Sequence, residues 1–380
     1  MLAVAAISAR MLAEAAARDG HGVAALDLFG DADTRRVSQC WRSIGRAGSL
    51  EIDGTRVLEA LQELARQAGD KVTGWIPGSG FEGKPELLEA GAKLLPMIGT
   101  PADAVRRVRD PAVFFSALAA HGIAHPPVRF DAPADAQGWL MKDARGSGGW
   151  HIRNAASRRD AALAGASIYF QRATPGVPMS ATFIGDGRQA MLIGINELIV
   201  RPCGVRPDVR PHVYGGCLGP VDVNAVLVQR IDDAVRALTA EFGLRGWCSL
   251  DFMQDGDTIG VLEVNPRPPA SLSLYARPGL IDAQLRACLH AELPRAWAFA
   301  SRAVQGNEIV YARRSLTLDE ISAQHLAGRM DVHDLPIAGA QFDAGDPVCS
   351  LSAEGSSVEQ VRAALAAARD ALLHTLESPQ

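Results

Sequence analysis

The chain has 380 residues, which predicts two or three domains and enough length for a substantial core. Apolar residues make up 48% and charged residues 21%, values typical of globular proteins, so wholesale disorder is excluded. The 38 basic and 43 acidic side chains give a formal charge of −5, which argues against a nucleic-acid-binding protein, since such proteins usually carry a basic excess.

No stretch approaches about 20 consecutive apolar residues, so we expect no membrane span. The apolar start is interrupted at helical spacing by Arg10, Glu14 and Arg18, which is unlike a signal peptide. We therefore place the protein in the cytoplasm. The six cysteines contain no CxxC pair, so the sequence favours reduced thiols over a zinc site or a disulfide framework.

The first 95 residues alternate predicted strands and helices. The apolar runs 2–7, 23–28 and 72–78 predict strands, and the amphipathic runs 8–20 and 55–68 predict helices. Strand–helix–strand order implies a parallel sheet with right-handed crossovers, so residues 1–95 are predicted to be Rossmann-like. The first loop, AISARML, lacks GxGxxG, and we do not expect it to bind a dinucleotide.

A joint at 96–101 precedes a predicted helix at 110–122. Residues 140–300 are mostly β in character, with helices predicted at 223–242 and near Asp282. The final part predicts strands around Ile309 and Val348 and a helix at 358–376. The fold class is therefore α/β, with α+β character in the centre, divided into 1–95, 96–304 and 305–380.

The segment WLMKDARGSGGWHI, residues 139–152, carries Lys142 on a short strand before a glycine-rich turn. Glycines let backbone amides converge on phosphate oxygens, and a lysine nearby can neutralise them. The chain has only four lysines, which makes this one notable. It is not a Walker loop, because GxxxxGK[ST] is absent, and an ordinary hairpin turn is the alternative interpretation.

The segment GWCSLDFMQDGDTIGVLEVNPRPPAS, residues 246–271, predicts two strands around a QDGD turn. Asp251 lies in the first strand, and Glu263 and Asn265 share one face of the second. Two carboxylates and an amide oxygen are hard ligands that suit Mg²⁺. A solvated hairpin with chance acids is the alternative, but Asp251 and Glu263 interrupt strongly apolar runs.

The metal hypothesis makes a geometric prediction. A symmetric even loop around 255–256 would pair Asp251 with Gly260, and the two carboxylates would then face opposite sides. An odd loop or a bulge would pair Asp251 with Val261 and bring Asp251 and Glu263 to one face. We therefore expect an odd loop or a bulge in this hairpin.

These residues, taken in chain order, resemble the ATP-grasp carboxylate–amine ligases over roughly residues 1–350. The order is a Rossmann-like start, a helix ending in HGIAHPP, the lysine strand with its glycine loop, YFQRATPGVPMS (169–180), and the Asp…Glu-x-Asn-x-Arg strands. The resemblance implies an ATP-grasp fold with a small C-terminal α+β domain. It also implies an ADP-forming carbon–nitrogen ligase that uses ATP and Mg²⁺.

The resemblance also implies roles for individual residues. Lys142 would hold the ATP phosphates and act in catalysis, and a flexible loop would close over them, formed by Arg145, Gly146, Ser147, Gly148 and Gly149. The adenine pocket would be lined largely by the backbone of Gln171, Arg172, Ala173 and Thr174. Mg²⁺ would be held by Asp251, Glu263 and Asn265. Arg267 would face the acyl phosphate and the tetrahedral intermediate.

Two positions depart from the family pattern. Relatives commonly carry a lysine early in the helix after the joint, where this chain has RDPAVFF. Arg106, Arg107 or Arg109 could substitute, although arginine is not a simple replacement for a lysine point charge. The ribose-binding glutamate that usually follows the hinge is also missing, because residues 177–179 are Val-Pro-Met.

Within the superfamily the chain looks most like the branch that includes tyramine–glutamate ligase of methanofuran-type cofactor assembly. The matching segments are GSGFEGKPELL (78–88), VYGGCLGP (213–220), EVNPRPPASLSL (263–274) and residues 333–357. This implies a small carboxylate and a small amine as substrates, no nucleic-acid or membrane partner, and a homodimer as one assembly. Two alternatives stay open: a carboxylating enzyme that uses bicarbonate, and a nucleotide-binding regulatory protein without turnover.

Overall fold

The computed structural model describes residues 1–46, 48–68, 71–157, 167–204, 210–297 and 303–377. Its first part is a four-stranded parallel sheet in the order β3-β2-β1-β4. The elements are β1 (Leu2–Ala5), α1 (Arg10–Arg18), β2 (Val23–Asp27), α2 (Ala32–Val37), β3 (Cys40–Ser43), α3 (Gly54–Ala68), β4 (Gly74–Pro77) and α4 (Pro85–Ala92). Strands β1, β2 and β4 are buried along their whole length, as parallel strands covered on both faces should be.

A small antiparallel sheet follows, in the order β5-β8-β6-β7. The elements are α5 (Ala102–Arg109), α6 (Pro111–Ala120), β5 (Val128–Arg129), β6 (Trp139–Asp143), β7 (Ile152–Asn154) and β8 (Ile168–Arg172). Asp110 separates the two helices, because a residue before proline is restricted to extended conformations. The Asp110 carboxylate then caps α6 by accepting from the amides of Ala112 and Val113.

The centre of the molecule is an eight-stranded sheet in the order β13-β12-β9-β10-β11-β14-β18-β16. The remaining elements are β9 (Val177–Asp186), β10 (Ala190–Arg201), β11 (Val213–Gly219), α7 (Ala225–Phe242), β12 (Arg245–Asp255), β13 (Thr258–Asn265), α8 (Leu280–His290), β14 (Val304–Tyr311), β15 (Leu316–Thr317), α9 (Glu320–Ala327), β16 (Val332–His333), β17 (Gln341–Phe342), β18 (Pro347–Gly355) and α10 (Val358–Glu377). Strand β14 spans the predicted boundary at 304/305 and pairs with β11, so this sheet continues across it. The division into three domains stays a prediction.

The predicted α/β fold class is confirmed, and most predicted elements are present with shifted ends. Three short elements near the start were not predicted: α2, β3 and α4. Strand β3 is only half-buried, and its sequence CWRS does not show the apolar run that marks β1 and β2. All six cysteines carry free thiols, and five of them are buried. Among the described residues, every helix is too short or too polar to cross a membrane.

The carboxyl edge of the parallel sheet contacts two distant parts of the chain. Beyond β4, the buried side chain of Glu82 meets Arg267, which follows β13. Beyond β2, Asp33 accepts from the amides of Asp334 and Leu335 at 2.8 and 3.0 Å. Crevices at this edge are where open α/β sheets usually bind ligands, so these contacts place the central sheet beside such a crevice.

Candidate active site

The hairpin of β12 and β13 contains the bulge that the metal hypothesis requires. The strands pair from Asp255↔Thr258 to Phe252↔Val261, around a two-residue turn. The register then shifts, and Asp251 pairs with Glu263 directly. The predicted pairing of Asp251 with Val261 is therefore wrong, but the bulge is present at Leu262 and brings both carboxylates to one face.

Asp251 lies in a network of short polar side chains. Its carboxylate accepts from the Ser180 hydroxyl at 2.8 Å and from the Asn265 amide at 3.0 Å. Burial, reinforced by the neighbouring Glu263, raises the pKa of the Asp251 carboxyl above its usual range. This carboxylate thus sits where a second negative charge is costly and a cation would be stabilising.

Glu263 faces two cations from the small sheet and the helix before it. Arg109, the last residue of α5, places Nη1 3.0 Å from Oε2 of Glu263. Burial opposes ionisation of Glu263, but Arg109, Lys142 and His151 outweigh it and lower the pKa of this carboxyl. Lys142 is only 4% exposed, and burial lowers the pKa of its ammonium although Glu263 opposes that shift.

The glycine-rich loop lies over this cluster. Arg109 Nη2 donates to the carbonyls of Ala144 and Gly146 at 2.9 and 2.8 Å, so one guanidinium joins the loop to Glu263. Gly149 has a φ of +79°, and a Cβ there would lie 1.8 Å from the carbonyl oxygen of His212. Only glycine therefore fits at this close approach.

The other predicted loop residues differ in their exposure. Arg145 points to solvent and pairs with Asp143 at 2.9 Å, so it lies outside the buried cluster. Ser147 and Gly148 follow in the loop. The Gly148 carbonyl accepts from the amide of Tyr214 at 2.9 Å. The loop is therefore held between α5 on one side and β11 on the other.

The predicted adenine hinge is the end of β8 and the residues after it. Gln171 is 1% exposed, and its side-chain Nε2 has no hydrogen-bond partner among the described residues. Arg172 and Ala173 are exposed, and Thr174 is half-buried. An orphaned buried amide is unusual in a protein, and its presence here points to an acceptor supplied by a ligand.

Arg267 is connected to the metal candidates and to the parallel sheet. Its Nη2 is 3.4 Å from Oδ1 of Asn265, and its Nε is 2.6 Å from Oε1 of Glu82. Burial opposes ionisation of Glu82, but Arg267 and Arg109 outweigh it and lower the pKa of the Glu82 carboxyl. The chain Asp251–Asn265–Arg267–Glu82 is thus one continuous line of polar contacts.

A narrow crevice of about 20 Å³ opens beside Glu263. Its walls are apolar on the α5–α6 side, and its polar lining comes from Arg109, Asp143, His151, Tyr169 and Glu263. Burial lowers the pKa of His151 to about 4, so this imidazole is neutral near pH 7. His151 lines the crevice, whereas His212 is not among the described residues that line it.

Two residues at the centre of the site were weakly signalled by the sequence. Arg109 was one of three arginines that could replace the family lysine; Arg106 and Arg107 instead pair with surface glutamates. Glu82 lies in the glycine-rich segment 78–88 and belongs to no motif of its own. Each contacts a residue more than 150 positions away, with separations of 154 for Arg109–Glu263 and 185 for Glu82–Arg267. Local pattern carries no information at that range.

The residues present fit a magnesium ion. The donor set is all oxygen, and Asp251 and Glu263 share a face. Among the described residues no three His, Cys, Asp or Glu side chains form a ready-made metal cage. A site of two carboxylates and one amide is therefore incomplete by itself, as expected where phosphate oxygens supply the remaining ligands.

Comparisons with known proteins identify the fold. A family model described as an ATP-grasp domain matches residues 109–271. The structure is similar to L-amino acid ligase from Bacillus licheniformis, with a TM-score of 0.69 and 15% identity over 97% of this chain and 96% of that one. It is similar to N5-carboxyaminoimidazole ribonucleotide synthetase from Thermus thermophilus, with a TM-score of 0.66 and 18% identity over 100% and 99%.

A third similar structure is the biotin carboxylase domain dimer of 2-oxoglutarate carboxylase from Hydrogenobacter thermophilus, in complex with MgADP, ADP and bicarbonate. Its TM-score is 0.72, with 14% identity over 99% of this chain and 93% of that one. No curated protein matches the chain by sequence.

The matched segment begins at Arg109 and includes Lys142, the glycine-rich loop and the β12–β13 hairpin. The family match confirms the predicted enzyme class, an ATP-grasp enzyme of the ADP-forming type that uses ATP and Mg²⁺. Residues 109–271 match an ATP-grasp domain, and the whole chain has the fold of the similar ligase and synthetase structures.

Proposed function

We propose that this protein is a ligase that activates a small carboxylate as an acyl phosphate and joins it to a small amine. One observation carries the proposal. The bulge at Leu262 sets Asp251 opposite Glu263, Arg109 pairs with Glu263 at 3.0 Å, and the buried charge of Lys142 also acts on Glu263. Paired carboxylates facing paired cations can hold the phosphates of ATP with a metal between them.

Two balanced steps account for the reaction. A carboxylate oxygen of the substrate bonds to the γ-phosphorus of ATP, and the bond to ADP breaks, which gives an acyl phosphate and ADP. The amine nitrogen then bonds to the acyl carbon, inorganic phosphate leaves, and the nitrogen loses a proton. A free carboxylate is a poor electrophile, so the first step is what makes the second one feasible.

Each charged side chain has a role that fits its position. Lys142 and Arg109 hold the phosphates, and both are already desolvated, which strengthens their attraction for an anion. Arg267, oriented by Glu82, faces the oxyanion that forms when the amine attacks. Asp251, Glu263 and Asn265 would hold Mg²⁺, which, when bound, offsets charge on the transferring phosphoryl group.

We place the nucleotide beside Glu263, at the mouth of the narrow crevice. Phe114, Phe115 and Val108 give it an apolar wall that suits a purine, and Gln171 lies at the predicted hinge with an unused amide donor. The missing ribose glutamate stays a departure, because Val177 opens β9 at that place.

For the substrates, we propose the branch that includes tyramine–glutamate ligase and a role in one-carbon cofactor assembly. The supporting segments are those that match by sequence, and two of them contact the site: Glu82 pairs with Arg267, and Tyr214 donates to the loop at Gly148. The similar L-amino acid ligase also joins amino-acid substrates, as its name states. A homodimer stays a prediction that sedimentation of the purified protein would test.

The deciding experiment is ADP release from Mg·ATP across a matrix of small carboxylates and amines, with glutamate and tyramine in the first well. We expect release that needs both partners. Release with bicarbonate alone would instead indicate a carboxylating enzyme. Binding of Mg·ATP without release in any well would contradict turnover and leave a regulatory protein.

Replacing Arg109 with Met should weaken ATP binding and free the glycine-rich loop. The change removes a cation and the donors to Ala144, Gly146 and Glu263. We expect KM for ATP to rise by roughly 10- to 100-fold, the cost of losing charged hydrogen bonds. Amide exchange at 144–149 should quicken as well.

The matched control for this change is Arg107→Met, which lies on the same helix and pairs with the exposed Glu241. It should leave both the ATP kinetics and the exchange rates unchanged. An Arg109→Met protein with wild-type KM and wild-type exchange would remove Arg109 from the nucleotide site.

Replacing Glu82 with Gln should lower kcat more than it raises KM for ATP. The buried pair with Arg267 would lose its charge, and the guanidinium would be held less firmly toward the reacting carbonyl. We expect kcat to fall by about 10- to 100-fold, the scale of a misdirected oxyanion donor. Steady-state kinetics with ATP as the varied substrate measure this split. If KM for ATP rose by this factor while kcat kept its wild-type value, Glu82 would be assigned to substrate binding instead.

A further inference from the structure

A second charged cluster lies at the same sheet edge, beyond β1 and β2. It consists of Asp27, Asp33 and Asp334 around Arg10, and Asp31 faces all of them. Glu82 follows β4, on the other side of β1, so the two places are separated by about two strand spacings, or roughly 10 Å. The cluster therefore lies on the same sheet edge as Glu82 and Arg267, outside the nucleotide site.

Three of these carboxylates have protein partners for their oxygens. Asp27 accepts from the amides of Ala9 and Gly30 and from the Trp41 indole. Asp33 accepts from the backbone amides beyond β16.

Asp334 pairs with Arg10 at 2.9 Å and also accepts from Ser8 and Ser350. We call Asp27, Asp33, Asp334 and Arg10 the framework. Each of its members has a protein partner, and together they join the first part of the chain to the last.

Asp31 is the exception. Its side chain is 7% exposed, yet the structure gives its carboxylate no hydrogen bond and no ion pair among the described residues. The N-terminus of α2 does not satisfy it, because Asp31 precedes the helix without capping it. It lies beside the framework, because the amide of the next residue, Ala32, donates to the carbonyl of Leu335 at 2.8 Å and Asp33 accepts from the amide of Asp334. A nearly buried, unpartnered carboxylate among acids requires a cation or a proton.

The rim of the cluster gives a ligand access. Asp334 is 19% exposed in its side chain and Arg10 12%, and Ser8 is half-buried. No three acidic, imidazole or thiolate side chains of the described residues converge closely enough to hold a metal ion by themselves. An organic cation can instead span several acceptors with directed hydrogen bonds.

We propose that Asp31 binds the ammonium group of a substrate of this enzyme. The remaining acids supply a negative field, and Ser8 and Arg10 line the approach. The proposal rests on the ligase function, since it assigns the subsite that orients one of the two substrates toward Arg267. The proposed ligand is a small molecule with a primary ammonium group. Neither the nucleotide site nor Arg267 would bind that group.

The test is calorimetric titration of the full-length protein, without nucleotide, with ethanolamine, glycine, putrescine and glutamate. Acetate serves as the anion that lacks an ammonium group. We expect at least one ammonium compound to bind and acetate not to. Asp31→Asn should weaken that binding by about 10- to 100-fold, the scale of a lost charge-assisted hydrogen bond. Asp222→Asn, an exposed acid outside both sites, should not change it.

Two results would overturn the proposal: no ammonium compound binding to the wild-type protein, or equal binding by Asp31→Asn. The same preparations are assayed for ADP release, which keeps the two failures apart. Binding through Asp31 without ADP release removes the ligase function and keeps the subsite. ADP release with a substrate KM that is identical in Asp31→Asn keeps the ligase and removes the subsite.

Stability against pH provides a second measurement on the free protein. Burial, with the charges of Asp334, Asp27 and Asp33, raises the pKa of Asp31 from 3.8 to about 8, against the opposing charge of Arg10. A carboxyl whose pKa is higher in the folded state stabilises the fold at low pH, and that stability is lost as the pH rises to about 8.

Relative to wild type, Asp31→Asn should therefore gain thermal stability steadily from about pH 5 to pH 8, and the gain should level off above that. Glu14 and His333 also face Arg10 and Asp334, and they are present in both proteins. A constant difference between the two melting curves across this range would show that Asp31 has a partner in solution and would overturn the proposal.

Discussion

Glu263→Gln is expected to reduce ADP release by at least about 10³-fold, the scale for removing a charge that stabilises a phosphoryl transition state. Glu263 lies opposite Asp251 beside the bulge, pairs with Arg109 at 3.0 Å and is also stabilised by the charge of Lys142. The glutamine side chain has the same shape, but it lacks the negative charge that attracts the divalent cation, Arg109 and Lys142. The loss should therefore appear in turnover and in the Mg²⁺ requirement together.

The fold should survive this change. A glutamine oxygen can still accept from Arg109 Nη1, and the two loop carbonyls continue to hold the same guanidinium. We expect a loss of about 1–3 kcal/mol in the free energy of unfolding, because charged hydrogen bonds become neutral ones. Denaturant titration measures that difference while circular dichroism follows the fold.

The matched control is Glu292→Gln, a glutamate that is 55% exposed and pairs with Arg286 on the surface. Exposed pairs of this kind contribute little, so activity and stability should stay at wild-type values. If Glu263→Gln retained its turnover, the metal assignment of both carboxylates would have to be withdrawn, because each depends on the other's position.

The bulge illustrates what sequence can predict at a site. The chemistry of a shared metal requires both carboxylates on one face, and the period of two in a strand then requires an irregular register. Which residue is extruded does not follow from that argument. The structure extrudes Leu262, so that Phe252 takes Val261 as its partner. The extruded residue depends on how the sheet packs, and the spacing of two acidic residues does not determine that packing.

The cations show the opposite case. Lys142 could be found because it precedes a glycine-rich turn on the same short segment. Arg109 could only be offered with two neighbours, since all three lie on one helical turn or the next. What selects Arg109 is its position at the end of α5, where Asp110 ends the helix and the guanidinium reaches Glu263 and the glycine-rich loop. That selection depends on the arrangement of three elements in space.

The parallel sheet was predicted from its apolar runs, yet its functional edge was not. The turn after β2 carries no recognisable motif, although it supplies Asp31 and leads to Asp33. The role of both residues depends on Asp334, which lies about 300 positions later in the chain. Contacts between the first and last parts of a chain have no local signature, and so the crevice that they form becomes visible only in three dimensions.

Lys142→Met is expected to lower kcat/KM for ATP by about 10²- to 10³-fold, the range for removing one charge that stabilises a transferring phosphoryl group. Methionine fills the space of the lysine stem, so the change removes the ammonium group with little loss of packing. Burial already lowers the pKa of this ammonium, and that desolvation makes its attraction for a phosphate stronger than at the surface.

The effect on stability should have the opposite sign to the effect on activity. Without nucleotide, Lys142 is a buried charge near Arg109, and Glu263 is the main group that offsets it. Exchanging one such charge for an apolar side chain of similar volume is often neutral or stabilising. We therefore expect Lys142→Met to melt at the same or a higher temperature than wild type while it loses ATP-dependent turnover.

Lys93→Met is the matched control, because Lys93 is 74% exposed and pairs with Glu89 one helical turn away. It should match wild type in both measurements. A Lys142→Met protein with unchanged ATP kinetics would return β6 to a structural role, and a clear fall in its melting temperature would mean that Lys142 contributes to the fold. Activity lost with stability kept is the combination that only a phosphate-binding lysine predicts.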